Sequence, residues 1–298
     1  MEVLVVGYLP YDSGKTTFIR GLIRVLKDRG LNPSYFKPVA GHSGWYQVDT
    51  VINSMSLGVL VGHDAYVIAK ELDKLDIIDV LSPLDFITFP IDPLGGEVTP
   101  RRYIELMTTP SMTVALLRLT RAWVEDGRIR RVHTYVLNSE IYNLLNKRIR
   151  EVVDELVGVI RSNAGNSVFI EGNSELITRI LTDDKVLSMI DSMKSLLRKG
   201  DPLIIEGYND VAAPTNGSLN SEWVFVVAPG KVLAYHGERY KKAVELVSYG
   251  GRAWTVPVSR IIGLLGSPHM FIDVPILLDE SNYYRVFEPV SDLIIEGQ

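Results

Sequence analysis

The chain contains no cysteine. Disulfide bridges, thiolate-bound metals and cysteine nucleophiles are thereby excluded. Glutamine is almost as rare, with only Gln47 and Gln298, and a shortage of this thermolabile residue suits a heat-adapted protein. No apolar run reaches about 18 residues, so no transmembrane helix is expected. A strong excess of one charge is also missing: the formal net charge is −5 over 298 residues. So mild a balance disfavours a surface made to hold a nucleic-acid backbone. The five histidines, His42, His63, His133, His236 and His269, stand at no zinc spacing from one another. There is no Gly-x-Ser-x-Gly elbow, and a serine hydrolase of that type has no support.

What is present is an ordinary globular composition, 46% hydrophobic and 22% charged, with length enough for a large core. The opening MEVLVVGYLP has an acidic second residue and a short apolar run. It reads as a buried strand rather than a signal peptide, and a cytoplasmic location is expected. Short apolar runs then alternate with amphipathic helices. Expected strands cover 2–6, 34–39, 113–120, 132–137, 167–170, 203–205 and 223–227, with 253–256 and 271–278 as late strands or loops. Expected helices cover 16–29, 65–75, 141–161, 185–198 and 239–247. The segments 113–120 and 132–137 form a hairpin around a polar turn at 125–128. The Pro-marked stretch 82–93 reads as loop or short edge strands. This alternation predicts the α/β class: a mostly parallel sheet with helices on both faces, in one domain over 1–298. Ligands of such sheets sit at the carboxyl ends of the strands, so the polar residues just after the apolar runs matter most.

One stretch carries chemistry directly. Leu4-Val5-Val6-Gly7 leads through Tyr8 to Asp12 into Ser13-Gly14-Lys15-Thr16-Thr17. A buried strand, a loop and a helix start in that order converge main-chain N–H groups on an anion. This is the context of a phosphate loop and predicts a P-loop NTPase fold. Gly7, Asp12, Ser13, Gly14, Lys15, Thr16 and Thr17 are the expected binding residues. Lys15 is expected to reach the terminal phosphates, and the Thr16 hydroxyl to ligate magnesium. The loop is longer than the usual Gly-x-x-x-x-Gly-Lys, with six residues between Gly7 and Gly14.

With two further blocks, Tyr35-Phe36-Lys37-Pro38-Val39-Ala40 and Leu203-Ile204-Ile205-Glu206-Gly207, the chain resembles dethiobiotin synthetase and its P-loop amidoligase relatives. The family's loop is also lengthened, though by less, and the blocks keep the family's order across roughly the first 230 residues. The segment of about 85–165 has no counterpart and reads as a family-atypical insertion. The resemblance implies ATP as nucleotide, magnesium held among Thr16, Asp49 and Glu206, and catalytic roles for Lys15 and Lys37. Lys37 would lie near the γ-phosphate and the second substrate. The implied reaction is ATP-dependent phosphorylation or activation of a small carboxylate or carbamate.

The sequence departs from the family where the second substrate is bound. Tyr208-Asn209-Asp210 follows Glu206-Gly207, and Gly41-His42-Ser43-Gly44-Trp45 follows the Lys-Pro block. The expected partner is therefore a small molecule of unspecified identity, with a homodimer as a further expectation. The run Phe169-Ile170-Glu171-Gly172 has the same form as the Glu206 strand, so Glu171 competes with it for the metal. His42 reads as an exposed loop histidine or as a base near the substrate edge. Arg128, Arg130, Arg131, Lys147, Arg148 and Arg150 read as solvated surface. The alternatives are a nucleotide-driven switch ATPase acting on a protein, and a small-molecule or polynucleotide kinase.

Overall fold

The computed structural model describes residues 1–94, 98–107, 112–163, 165, 167–198, 201–275 and 283–297. The chain divides into two compact units, one from Met1–Pro38, Ile68–Lys74 and Asp191–Gln298, the other from Val39–Val67 and Leu75–Ile190. Each has its own sheet, where the sequence reading has one sheet in one domain. Alternating elements identify the α/β class but carry no information about which strand joins which sheet.

Strands are numbered along the chain. The first unit holds β1 (Glu2–Gly7), β2 (Ser34–Phe36), β8 (Leu203–Glu206), β9 (Trp223–Ala228), β10 (Lys231–His236) and β11 (Met270–Asp273), ordered β11-β10-β9-β1-β8-β2. β1 runs parallel to both neighbours, β8 and β9, and β2 runs parallel to β8. β10 and β11 add antiparallel at the other edge. All six residues of β1 are buried, as an apolar strand covered on both faces requires. Even its Glu2 is buried, held by Lys194 at 3.1 Å and Arg198 at 2.7 Å. Burial works to raise the pKa of Glu2, but hydrogen bonds and charge from Arg198 and Lys194 outweigh it and hold the carboxyl below its ordinary value.

The helix Lys15–Asp28 follows β1 and buries Phe18, Ile19, Leu22, Ile23 and Leu26. Phe18 meets Phe225 at 5.6 Å and Phe287 edge-on at 5.0 Å. On its outer side Arg24 makes two 3.0 Å bonds to Glu71, which also accepts from Arg20. Gly30, at φ 81, stops the helix, a left-handed position that costs glycine nothing.

The second unit holds β3 (Val39–Ser43), β4 (Leu84–Thr88), β5 (Val114–Glu125), β6 (Arg128–Asn138) and β7 (Val168–Gly172), in sequence order across the sheet. The β5–β6 hairpin is the longest pairing and turns at Asp126 (φ 52) and Gly127 (φ 72). Two positive φ values make the tight turn whose twist matches the strands. Leu116, Tyr135, Ile149, Val153, Leu156 and Ile160 form this unit's core.

Several expected elements shift. The strand expected over 34–39 is two strands in different sheets, β2 and β3, parted at Lys37-Pro38; Pro38 has no N–H for a ladder. The helix expected over 141–161 is Ser139–Leu144 and Lys147–Asn163. Leu145 is extended, and Asn146 accepts from the Ile149 amide, starting the second helix afresh. The stretch read as loop or edge contains β4, nearly all buried and paired on both sides. Ala253–Thr255 is a short 3₁₀ turn and Met270–Asp273 a strand; residues 276–278 of the last expected strand lie outside the described residues.

Candidate functional site

The site is built within the first unit from the carboxyl ends of β1, β2 and β8. Gly7 closes β1, and the loop that follows is tied to the sheet by the Tyr8 amide donating to Val227 at 2.9 Å. The Ser13 hydroxyl donates to the Leu9 carbonyl at 2.7 Å and accepts from the Leu9 amide at 3.3 Å. Ser13 is buried and shapes the loop from inside. Asp12 (φ 53) and Gly14 (φ 86) take left-handed conformations, which bend the chain sharply before the helix. Gly14 is the helix N-cap and offers no capping side chain. The first turn of the helix therefore presents its amides and the positive end of its dipole with no side-chain acceptor from the cap.

Lys15 folds back over this loop, and its ammonium donates to the Asn209 carbonyl at 2.9 Å. The packing there is tight. A methyl group on Gly7 would stand 2.5 Å from Ser13 Oγ, 2.7 Å from Lys15 Nζ and 2.9 Å from the Asn209 carbonyl oxygen. Asn209 itself lies at φ 45, in the loop after β8.

Glu206 is the hub. β8 pairs with β1 so that Glu206 stands opposite Val5, beside the start of the loop, and the residue is fully buried. Oε1 accepts from Lys37 Nζ at 3.0 Å and from Thr16 Oγ1 at 3.3 Å; Oε2 accepts from the Tyr35 hydroxyl. Lys37 is itself buried, so the ion pair is shielded on both sides. Tyr35 was missed at the level of sequence, although a signal exists: Tyr35 and Lys37 are two apart on an extended segment and so face the same way. Asn209 was missed too, and a carbonyl acceptor leaves no mark in side-chain identity. Tyr208 is half-buried beside these groups, and its desolvation lifts the hydroxyl pKa far above the ordinary value.

The expected metal set divides. Thr16 and Glu206 come together, and a threonine hydroxyl beside a carboxylate is the hard oxygen chemistry that magnesium takes. Thr16 keeps lone pairs for a cation while donating its proton to Glu206. Asp49 belongs to the second unit, at the start of helix Val48–Leu57, with its carboxylate 2.6 Å from His63 Nδ1. Glu171 is exposed on β7 of that unit, while Glu206 is buried against Thr16. Among the described residues no three His, Asp or Glu side chains gather as a metal cluster. Asp12 and Thr17 are exposed at the loop.

His42 is not an exposed loop residue. It lies on β3 and is buried, with Nδ1 2.8 Å from Thr50 Oγ1 and Nε2 2.9 Å from Asp85 Oδ1. The Thr50 hydroxyl also donates to the Gln47 carbonyl at 2.7 Å. The basic residues of the second unit are largely paired: Arg130 with Glu125, Arg131 with Asp79, and Lys147 and Arg148 with Glu151. An open cleft of ≈ 370 Å³ lies in that unit beside Asp79, Arg131 and His133. No helix of the described residues is long and apolar enough to cross a membrane. No protein-family model, curated protein or solved structure matches this chain.

Proposed function

We propose that the chain binds magnesium-ATP on residues 7–17 and transfers the γ-phosphoryl group to a small carboxylate or carbamate. The observation that supports this reading is the convergence of Thr16 and Lys37 on the buried carboxylate of Glu206, directly beside an N-terminally uncapped helix and a folded-back lysine. Phosphoryl transfer asks a protein mainly for positioning and charge neutralisation. The loop amides and the helix dipole hold the phosphates, and Lys15 exchanges the Asn209 carbonyl for phosphate oxygen. Thr16 and Glu206 would hold magnesium, directly or through water, and the ion would neutralise charge on the phosphates. Lys37 leaves an ion pair with Glu206 to stabilise charge on the acceptor oxygen or the transferring group.

A fluorescent ATP analogue, titrated with and without magnesium, tests the binding half. Lys15→Ala is expected to weaken affinity roughly 10- to 100-fold, the worth of hydrogen bonds to a charged group. Unchanged affinity in the folded variant would overturn the reading. Stimulation of ADP release by small carboxylates or by amines with bicarbonate tests the other half.

A further inference from the structure

Three aromatic rings of the first unit gather at one end of the antiparallel edge. Trp223 opens β9 and is the direct cross-strand partner of His236, the last residue of β10. His269 precedes β11 and is fastened to β10 by its amide, which donates to the Ala234 carbonyl at 2.8 Å. The two imidazoles have ring centres 4.8 Å apart at 75°. Both are exposed, and both rest on the buried indole of Trp223, at 4.3 Å and 5.0 Å. The backbone of two paired strands thus holds two imidazole rings side by side over an apolar floor.

We propose that His236 and His269 form a surface chelate site for one borderline divalent transition cation, of the Zn²⁺ and Cu²⁺ class. The spacing carries the argument. With metal–nitrogen bonds of ~2.0–2.1 Å and a ring radius of about 1.1 Å, two imidazole centres on one ion stand roughly 4.4 Å apart in cis square-planar geometry and roughly 5.1 Å in tetrahedral geometry. The observed separation lies between them. Imidazole suits zinc, nickel and copper and not magnesium, so this site is chemically separate from the nucleotide site. Nearby carboxylates are already engaged: Glu222 accepts from the Glu2 amide and Glu238 from Lys242. Water fills the remaining coordination positions. The affinity order follows from the ligands, with Cu²⁺ above Zn²⁺.

The test uses the full untagged chain. Cu²⁺ is titrated while tryptophan emission and bound copper are followed, with Zn²⁺ as competitor and a chelator to reverse binding. One Cu²⁺ per chain is expected, with quenched emission because the ion sits against Trp223. Removing one arm of a two-ligand chelate, by His236→Ala or His269→Ala, is expected to weaken binding roughly a hundredfold. Both side chains are exposed, so the variants keep the wild-type circular dichroism. His63→Ala is expected to bind as the wild type does. Absence of binding in the wild type, or wild-type affinity in either single variant, would overturn the proposal, and neither result bears on nucleotide affinity.

Discussion

At the scale of single residues, the site depends on one missing methyl group and one buried charge pair. A side chain on Gly7 meets two polar tips and a backbone oxygen, all within 3 Å. Gly7→Ala is therefore expected to lower stability by about 1–3 kcal/mol, the usual cost of overpacking, and to weaken ATP-analogue binding by displacing Lys15; urea melts and the binding titration check both. Lys37→Met leaves Glu206 buried with only hydroxyl donors and is expected to cost about 3 kcal/mol or more. The double variant Lys37→Met, Glu206→Gln removes the unpaired charge as well, and its cost should fall below the sum of the singles. Urea denaturation of the four proteins gives the coupling directly. Lys15, Thr16, Lys37 and Glu206 were legible in the sequence because each sits at a strand end or helix start. The same signals misplaced His42: the segment 41–45 looks like a loop in sequence and half of it pairs as β3. Its partners, Thr50 and Asp85, lie on other elements and leave no local trace.

At the scale of elements, the β5–β6 hairpin shows how register turns ordinary polar residues into a linked set. Arg118 is fully buried and donates to the carbonyls of Leu60, Asp79 and Ser82 and to the Thr120 hydroxyl. Thr120 pairs across the strands with His133, their side chains 3.1 Å apart, and His133 Nε2 lies 3.4 Å from Asp79. Burial, then the Arg118 charge, push the His133 pKa down to about 4; Asp79 opposes this and Arg131 adds to it. The folded chain thus keeps His133 neutral where the unfolded chain takes up a proton. Acidification from pH 6.5 toward 4 then favours the unfolded chain, at a cost of roughly 2–3 kcal/mol over that window and none above it. Melts of the wild type and His133→Gln at stepped pH test this: the wild type should lose more stability over that range. The hairpin and its turn were legible from alternation and from Asp126-Gly127. The break at Asn146 was not, because an internal asparagine reads equally as a helix surface residue or a cap until the Leu145 backbone is seen.

At the scale of the whole molecule, two units with separate sheets and cores make a regional response to ligand the informative measurement. If magnesium-ATP binds as proposed, hydrogen exchange should slow at residues 7–17 and 204–209 of the first unit, while the β5–β6 hairpin exchanges at its free rate. Equal protection of both regions, or none at the loop, would count against the site. The chain's sequence alone determined the α/β class, the phosphate-loop candidate and the strand that carries Glu206. Those features rest on local rules: apolar runs, glycine and proline, and the residues that end a strand or start a helix. Only the tertiary structure decided that there are two sheets, that Tyr35 and Lys37 meet at Glu206, and that His236 and His269 stand together over Trp223. Each of these joins residues far apart in the chain through strand order and register, and pairing between distant segments follows from how whole faces fit, which no local window contains.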